Sequence, residues 1–143
     1  LSECIDKCRE NGINCAAETS LIYFDEEVLK KLDFVMADLK IWDSNLHKEY
    51  TAVGNETIVE NFKRLNTLNI PIIARTPVIP EINQGIEKIS AFLKTLENVR
   101  KYELLPYHPL GNSKRKALGL PPDGLSVPTK EYMKELEKYA YIR

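Results

Sequence analysis

Six residues spread along the chain could bind a small polar ligand if folding brought them together: Glu18, Thr19, Asp38, Lys40, Arg75 and His108. Each closes or follows an apolar run. Arg75 and Lys40 suit a carboxylate, the first as a planar fork and the second as a point charge. The two acids suit an amine or ribose hydroxyls, and His108 can donate or accept through either ring nitrogen. Together they suit a zwitterion that also carries hydroxyls. Each residue has a plainer reading as well. Asp38 and Lys40 are two apart, hence on one face of a strand, and could be a salt-bridged strand end. Arg75 could be a surface arginine paired with a helix acid, His108 a hydrogen-bonded turn histidine, and Glu18-Thr19 a loop cap.

Other reactive side chains are fewer. Cys4, Cys8 and Cys15 are an odd number of cysteines with no export signal before them, which favours reduced thiols in the cytoplasm. Cys4 and Cys8 can share a helix face. A Cys-x-x-x-Cys-x-x-Cys cluster loop would need its third cysteine at position 11, which is Asn11. Small core residues of a helix are the expectation for these cysteines, and no metal site is expected. Lys40 could also be a Schiff-base nucleophile of a barrel lyase, but a carboxylate two residues away keeps a lysine protonated. The run Lys114-Arg115-Lys116 reads as a solvated loop.

The elements that must position these residues alternate between helix and strand. Ser2 is placed to cap a helix running to Asn11-Gly12, and Ile13 to Thr19 is a short strand. Asp25 caps a second helix, with acids in its first turn and lysines in its last. Phe34 to Ala37 is a strand buried on both faces, ending at Asp38-Leu39-Lys40. Asn55 opens a long helix with Ile58, Phe62 and Leu65 on one stripe. Ile70 to Ile79 is a strand interrupted by Pro71 and Pro77; Ile86, Ile89, Leu93 and Leu96 are helical; Val99 to Leu105 is the next strand, reaching His108. Residues 109–128 form a long loop, and Thr129 caps a last helix bearing Tyr132, Met133, Leu136 and Tyr139. Such alternation predicts an α/β fold with about four parallel strands and flanking helices, either an open sheet or part of a barrel. In parallel α/β folds ligand sites form at the carboxyl ends of the strands, where all six residues fall.

The chain of 143 residues is long enough for one domain, and no composition shift marks a second. With 20 Lys and Arg against 21 acids, its net charge of −1 gives no reason to expect nucleic acid or an anionic membrane as a partner. No apolar run approaches the roughly 20 residues of a membrane span. The first residues, Leu1-Ser2-Glu3-Cys4, lack a Met and lead straight into a helical segment, which reads as a cut inside a longer protein.

At these residues the chain resembles the activating enzymes of pyruvate formate-lyase and related glycyl radical enzymes, in the radical-SAM superfamily. The resemblance is carried by Glu18-Thr19, Asp38-Leu39-Lys40, the stretch from His47 to Asn55, and Arg75-Thr76-Pro77-Val78-Ile79-Pro80. Its most specific part is Leu104-Leu105-Pro106-Tyr107-His108-Pro109-Leu110-Gly111, with Lys114 and Ala117-Leu118-Gly119 behind it. Glu18 stands where many members have Asp, and the stretches after Thr19 and from Gly119 to Gly124 are shorter than the family's. The resemblance implies that residues 1–143 are the C-terminal part of a radical-SAM (β/α)6 partial barrel, truncated and forming a single domain. It implies S-adenosylmethionine (SAM) as cofactor, with residues matching Asp38, Lys40, Arg75 and His108 lining its pocket and those matching Glu18 and Thr19 beside it. It further implies a [4Fe-4S] cluster on the missing N-terminal part, a glycyl radical enzyme as protein substrate, flavodoxin or ferredoxin as electron donor, and anaerobic metabolism. A chain without its cluster loop is expected to be inactive alone, with an exposed edge at its first strand. The loop after His108 is expected to be mobile and to meet the partner. The competing readings are a non-catalytic interaction module with a relict SAM pocket, and the Schiff-base lyase.

Overall fold

The computed structural model describes all residues from Leu1 to Arg143. Its centre is a five-stranded sheet in the order β1-β2-β3-β4-β5. The strands are β1 (Ala16–Thr19), β2 (Phe34–Asp38), β3 (Ile72–Val78), β4 (Val99–Pro106) and β5 (Tyr141–Ile142). The first four are parallel, and β5 adds to β4 in the antiparallel sense. Spatial order follows chain order, so every crossover steps one strand in the same direction. Right-handed crossovers that never reverse must all lie on one face of the sheet, the winding of a barrel wall.

The helices obey that rule. They are α1 (Ser2–Glu10), α2 (Glu26–Leu29), α3 (Ser44–Thr51), α4 (Glu56–Asn66), α5 (Ile86–Lys94), α6 (Asn112–Ala117) and α7 (Lys130–Leu136). Ile5, Leu29, Ile58, Phe62, Leu65, Ile89 and Leu93 from α1, α2, α4 and α5 share one core with Val35, Ala37, Ile72, Ala74, Val99 and Tyr102 of the strands. Strand side chains alternate between faces. One face is therefore apolar and covered, while the other carries Glu18, Met36, Asp38, Ile73, Arg75, Lys101 and Glu103.

Local chemistry explains most element ends. Asp25 Oδ1 accepts from Val28 N at 3.1 Å and Asp43 Oδ1 from Leu46 N at 2.8 Å, capping α2 and α3. Thr129 caps α7 through Tyr132 N. Pro77 sits inside β3 although it lacks an N–H. Leu39 N donates to Arg75 O, so Arg75 and Pro77 turn their backbone groups toward β2, whose ladder ends at Asp38 opposite Arg75. Its missing donor falls where there is no acceptor to serve.

Several expectations need correction. Ser2 does not cap α1; Leu1 holds that position, and Ser2 Oγ accepts from Lys31 Nζ instead. Asn55 does open α4, as expected, and its side chain turns away from the helix, Nδ2 donating to Ile41 O and Trp42 O. Residues 109–128 are not a plain loop: a 3₁₀ turn at Pro109–Gly111 leads into α6, and Arg115 Nε donates to Pro121 O at 2.7 Å. Lys114, Arg115 and Lys116 thus lie in a helix. Cys4 is exposed and Cys8 and Cys15 half-buried, so none is a core residue. Helix α3 and strand β5 were not foreseen.

Candidate functional site

Glu18, Asp38, Lys40 and Arg75 form one bonded network on the uncovered face, at the carboxyl end of β1–β3. Parallel register places Asp38 beside Arg75 and Glu18 beside Met36. Arg75 is the hub. Its Nε donates to Asp38 Oδ1 at 3.1 Å, its Nη1 to Glu18 Oε1 at 3.0 Å and its Nη2 to Glu18 Oε2 at 3.1 Å. The fork on Glu18 is the bidentate geometry that makes arginine–carboxylate pairs specific. Lys40 Nζ donates to the other oxygen, Asp38 Oδ2, at 2.8 Å. The Arg75 side chain is 14% exposed and that of Glu18 61%, so the guanidinium is fixed while the glutamate stands at the rim. The hydrogen bonds from Arg75 hold the Glu18 carboxyl below the usual glutamate range, and Glu18 in turn raises Arg75.

The positions of Lys40 and Arg75 are enforced from beneath. Thr76, fully buried, donates through Oγ1 to Leu39 O at 2.7 Å and accepts from the buried Tyr102 hydroxyl at 3.0 Å. This ties β2, β3 and β4 together one residue from the polar cluster. Burial pushes the Tyr102 phenol well above its ordinary value, which keeps it a neutral donor. Asn83, also buried, donates through Nδ2 to Lys40 O and accepts from Ile79 N through Oδ1 at 2.7 Å.

Two of the six expected residues stand apart. Thr19 alternates onto the helix-covered face, where its Oγ1 accepts from Leu21 N at 3.0 Å; it caps the turn that places Leu21 at φ 56°. His108 lies beyond the end of β4, exposed, at the head of the 3₁₀ turn. It shares the carboxyl edge with the network but no hydrogen bond joins it to them.

Reading the sequence for strand ends missed Lys101, Glu103, Asn83 and His47. Lys101 and Glu103 form an ion pair on the same face, with Glu103 in register beside Arg75. Their spacing of two in a strand was the available signal. His47, from α3, lines a cavity of about 300 Å³ together with Asp38, Lys40, Ser20 and Tyr23. A neighbouring cavity of about 300 Å³ between Lys40, Tyr50, Pro77 and Leu125 shares Lys40 and Thr51 with it. The arrangement therefore offers paired charges of both signs beside open space. Lys40, held by Asp38, is not set as a free nucleophile, which leaves the Schiff-base reading without support.

The cysteines do not extend this site. Cys4, Cys8 and Cys15 line an apolar cavity beside α1 and β1, the sheet's edge strand, and no three Cys, His, Asp or Glu are arranged to hold a metal ion.

No family model matches the chain. It is 32% identical over 146 residues to a pyruvate formate-lyase-activating enzyme of Clostridium pasteurianum, covering 97% of this chain and 61% of that one. It is 37% identical over 126 residues to the 4-hydroxyphenylacetate decarboxylase activating enzyme of Clostridioides difficile strain CD196, covering 83% of this chain and 40% of that one. A solved domain of a pyruvate-formate lyase-activating enzyme from Bacteroides vulgatus superposes with a TM-score of 0.79 at 26% identity, covering 97% of this chain and 82% of the other. Over nearly all of its length the chain resembles the pyruvate formate-lyase-activating enzyme family. It has that family's radical-SAM type of α/β fold, and it spans about half the length of the two sequence relatives. Helices cover one side of the sheet, and Arg75, Asp38 and Glu18 occupy the other.

Proposed function

We propose that residues 1–143 are the carboxyl-terminal part of an activating enzyme, one domain of a partial barrel, and that the network around Arg75 binds S-adenosylmethionine. The observation that carries this reading is the Glu18–Arg75–Asp38–Lys40 network on the helix-free face of a barrel-type sheet. The residues fit the ligand's chemistry. Arg75 and Lys40 take the methionyl carboxylate, Asp38 takes ribose hydroxyls or the amino group, and His108 borders the site from the end of β4. Glu18 exchanges with the ligand for the Arg75 fork. When bound, S-adenosylmethionine supplies the adenosyl group whose radical removes a hydrogen from a glycine of the protein substrate.

The residues here do not fit a [4Fe-4S] cluster, because the three cysteines surround an apolar edge cavity and lack the three-thiolate spacing. The cluster is accordingly assigned to residues outside this chain. A glycyl radical enzyme is the protein substrate, a flavodoxin or ferredoxin the electron donor, and the cytoplasm the compartment. No helix is long and apolar enough to cross a membrane.

Equilibrium binding of S-adenosylmethionine to this chain, followed by calorimetry, tests the site. Saturable binding is expected, weakened at least tenfold by Arg75→Met and by Asp38→Asn. Absence of binding at millimolar ligand, or equal binding by both variants, overturns the assignment.

A further inference from the structure

His47 is 2% exposed, and its two ring nitrogens are treated very differently. Nδ1 lies 2.7 Å from Val53 O and 2.9 Å from Thr51 Oγ1. A backbone carbonyl can only accept, so the proton of a neutral ring sits on Nδ1. Nε2 is left buried with no partner in the protein. An unpartnered buried polar atom costs roughly 1–3 kcal/mol, and native interiors rarely retain one.

The local backbone is built around this choice. Asp43 caps α3 and sets its direction, while Ala52 ends it in the left-handed region at φ 68°. That turn folds Val53 O back onto the ring, one residue after Ala52 N has closed the last helical bond, to Lys48 O. A non-glycine residue with positive φ is mildly strained. The turn thus presents an acceptor, Val53 O, to Nδ1, which fixes one tautomer and leaves Nε2 with a lone pair. His47 is among the residues lining the cavity of about 300 Å³ that also reaches Asp38 and Lys40. That volume is several times a water's share of liquid, about 30 Å³.

We propose that His47 is a ligand-contacting residue of this site, its Nε2 accepting a hydrogen bond from a hydroxyl or amino group of the molecule held by Asp38 and Lys40. The inference rests on the assignment of that network as the S-adenosylmethionine site, and adds a preset neutral acceptor to a set otherwise made of charges.

The test uses the different reach of two amides. His47→Asn keeps a donor near Nδ1 for Val53 O and removes Nε2; His47→Gln places its amide near the Nε2 position. S-adenosylmethionine affinity is measured for both variants. In the wild-type chain, the His47 ring-nitrogen NMR shifts are followed during titration with the same ligand. The expected results are a roughly tenfold weaker affinity for Asn, with the loss smaller for Gln, and a shift of Nε2 but not Nδ1 as ligand is added. Should His47→Asn fail to fold, the wild-type Nε2 shift alone decides. If Nε2 does not move while the wild-type chain binds, or if His47→Asn binds as tightly as wild type, His47 is not a ligand contact although the site stands. If the wild-type chain does not bind S-adenosylmethionine, the site assignment and this inference fail together.

Discussion

Replacing Thr76 by Val tests whether the hydroxyl chain beneath the site holds it in place. Thr76 is fully buried and Tyr102 nearly so, and the chain runs from Tyr102 O–H to Thr76 Oγ1 at 3.0 Å and from Thr76 Oγ1 to Leu39 O at 2.7 Å. Valine has nearly the same shape, so packing is kept while two buried groups lose a partner. Each orphaned group costs roughly 1–3 kcal/mol, and a carbonyl with a second lone pair sits near the low end, so the sum is about 2–4 kcal/mol. For a domain of this size about 3 °C of melting temperature corresponds to each kcal/mol, which makes the fall about 6–12 °C. Tyr102→Phe leaves the bond to Leu39 intact and should cost about 1 kcal/mol, or about 3 °C. The double variant has no orphaned phenol and should melt no lower than Thr76→Val alone. Scanning calorimetry on the three variants checks the cycle. Should Thr76→Val melt with Tyr102→Phe, or the two losses simply add, the reasoning from orphaned groups is wrong.

Glu18 should titrate below the ordinary glutamate range, because Arg75 donates to its carboxylate. A lowered folded value stabilises above the unfolded pKa, so the stability difference between wild type and Glu18→Gln should be constant above about pH 5 and vanish on acidification through the folded value. Gly54→Ala places a Cβ against Glu56 Oε2 and Ser44 Oγ, so it should drive Glu56 off Ser44. The Glu56 carboxyl, now held low chiefly by that bond, should rise toward normal in an NMR titration; an unchanged value counts against it. Asn83→Ala leaves Lys40 O and Ile79 N without their side-chain partner and should lower the melting temperature by about 6 °C, with S-adenosylmethionine affinity falling alongside. Lost stability with affinity unchanged would separate Asn83 from the site.

Much of the fold is visible in the sequence because its apolar periods are strong. The stripe Ile58–Phe62–Leu65 and the caps Asp25 and Thr129 each have a single structural reading, and the structure agrees at each; the run Phe34–Ala37 is a strand as expected, but only its Val35 and Ala37 face is buried, because helices cover just one side of the sheet. The misses have identifiable causes. Helix α3 is short and polar, and its one buried side chain is His47, so it has no apolar stripe to betray it. Strand β5 has two residues and exists only because β4 offers an edge. Thr19 follows Glu18 and was grouped with it, but adjacent strand residues face opposite ways. His47 and Asn83 lie in segments read as connections, and their relation to Lys40 is purely tertiary.

The charge balance of the network has a consequence for how a ligand enters. Glu18 and Asp38 oppose Lys40 and Arg75, so the cluster is neutral as it stands. Three of the Arg75 nitrogens already donate, and the guanidinium is fixed by β3, by Asp38 and by its own burial. Only Glu18, at the rim and more than half exposed, is free to leave. A ligand carboxylate that uses the Arg75 fork must therefore take the place of Glu18, and the glutamate, once displaced, regains water at little cost. Water screens the glutamate's end of this pair, and the incoming carboxylate replaces it on the same fork, so the exchange costs little. Selectivity must then come from the fixed members that do not exchange: Asp38, which requires a donor, and the open space beside it. A simple carboxylate would meet the Arg75 fork alone, whereas a zwitterion with hydroxyls would meet Asp38 as well. The displaceable glutamate thus makes the anion-binding half of the site weak and leaves discrimination to the half that reads donors.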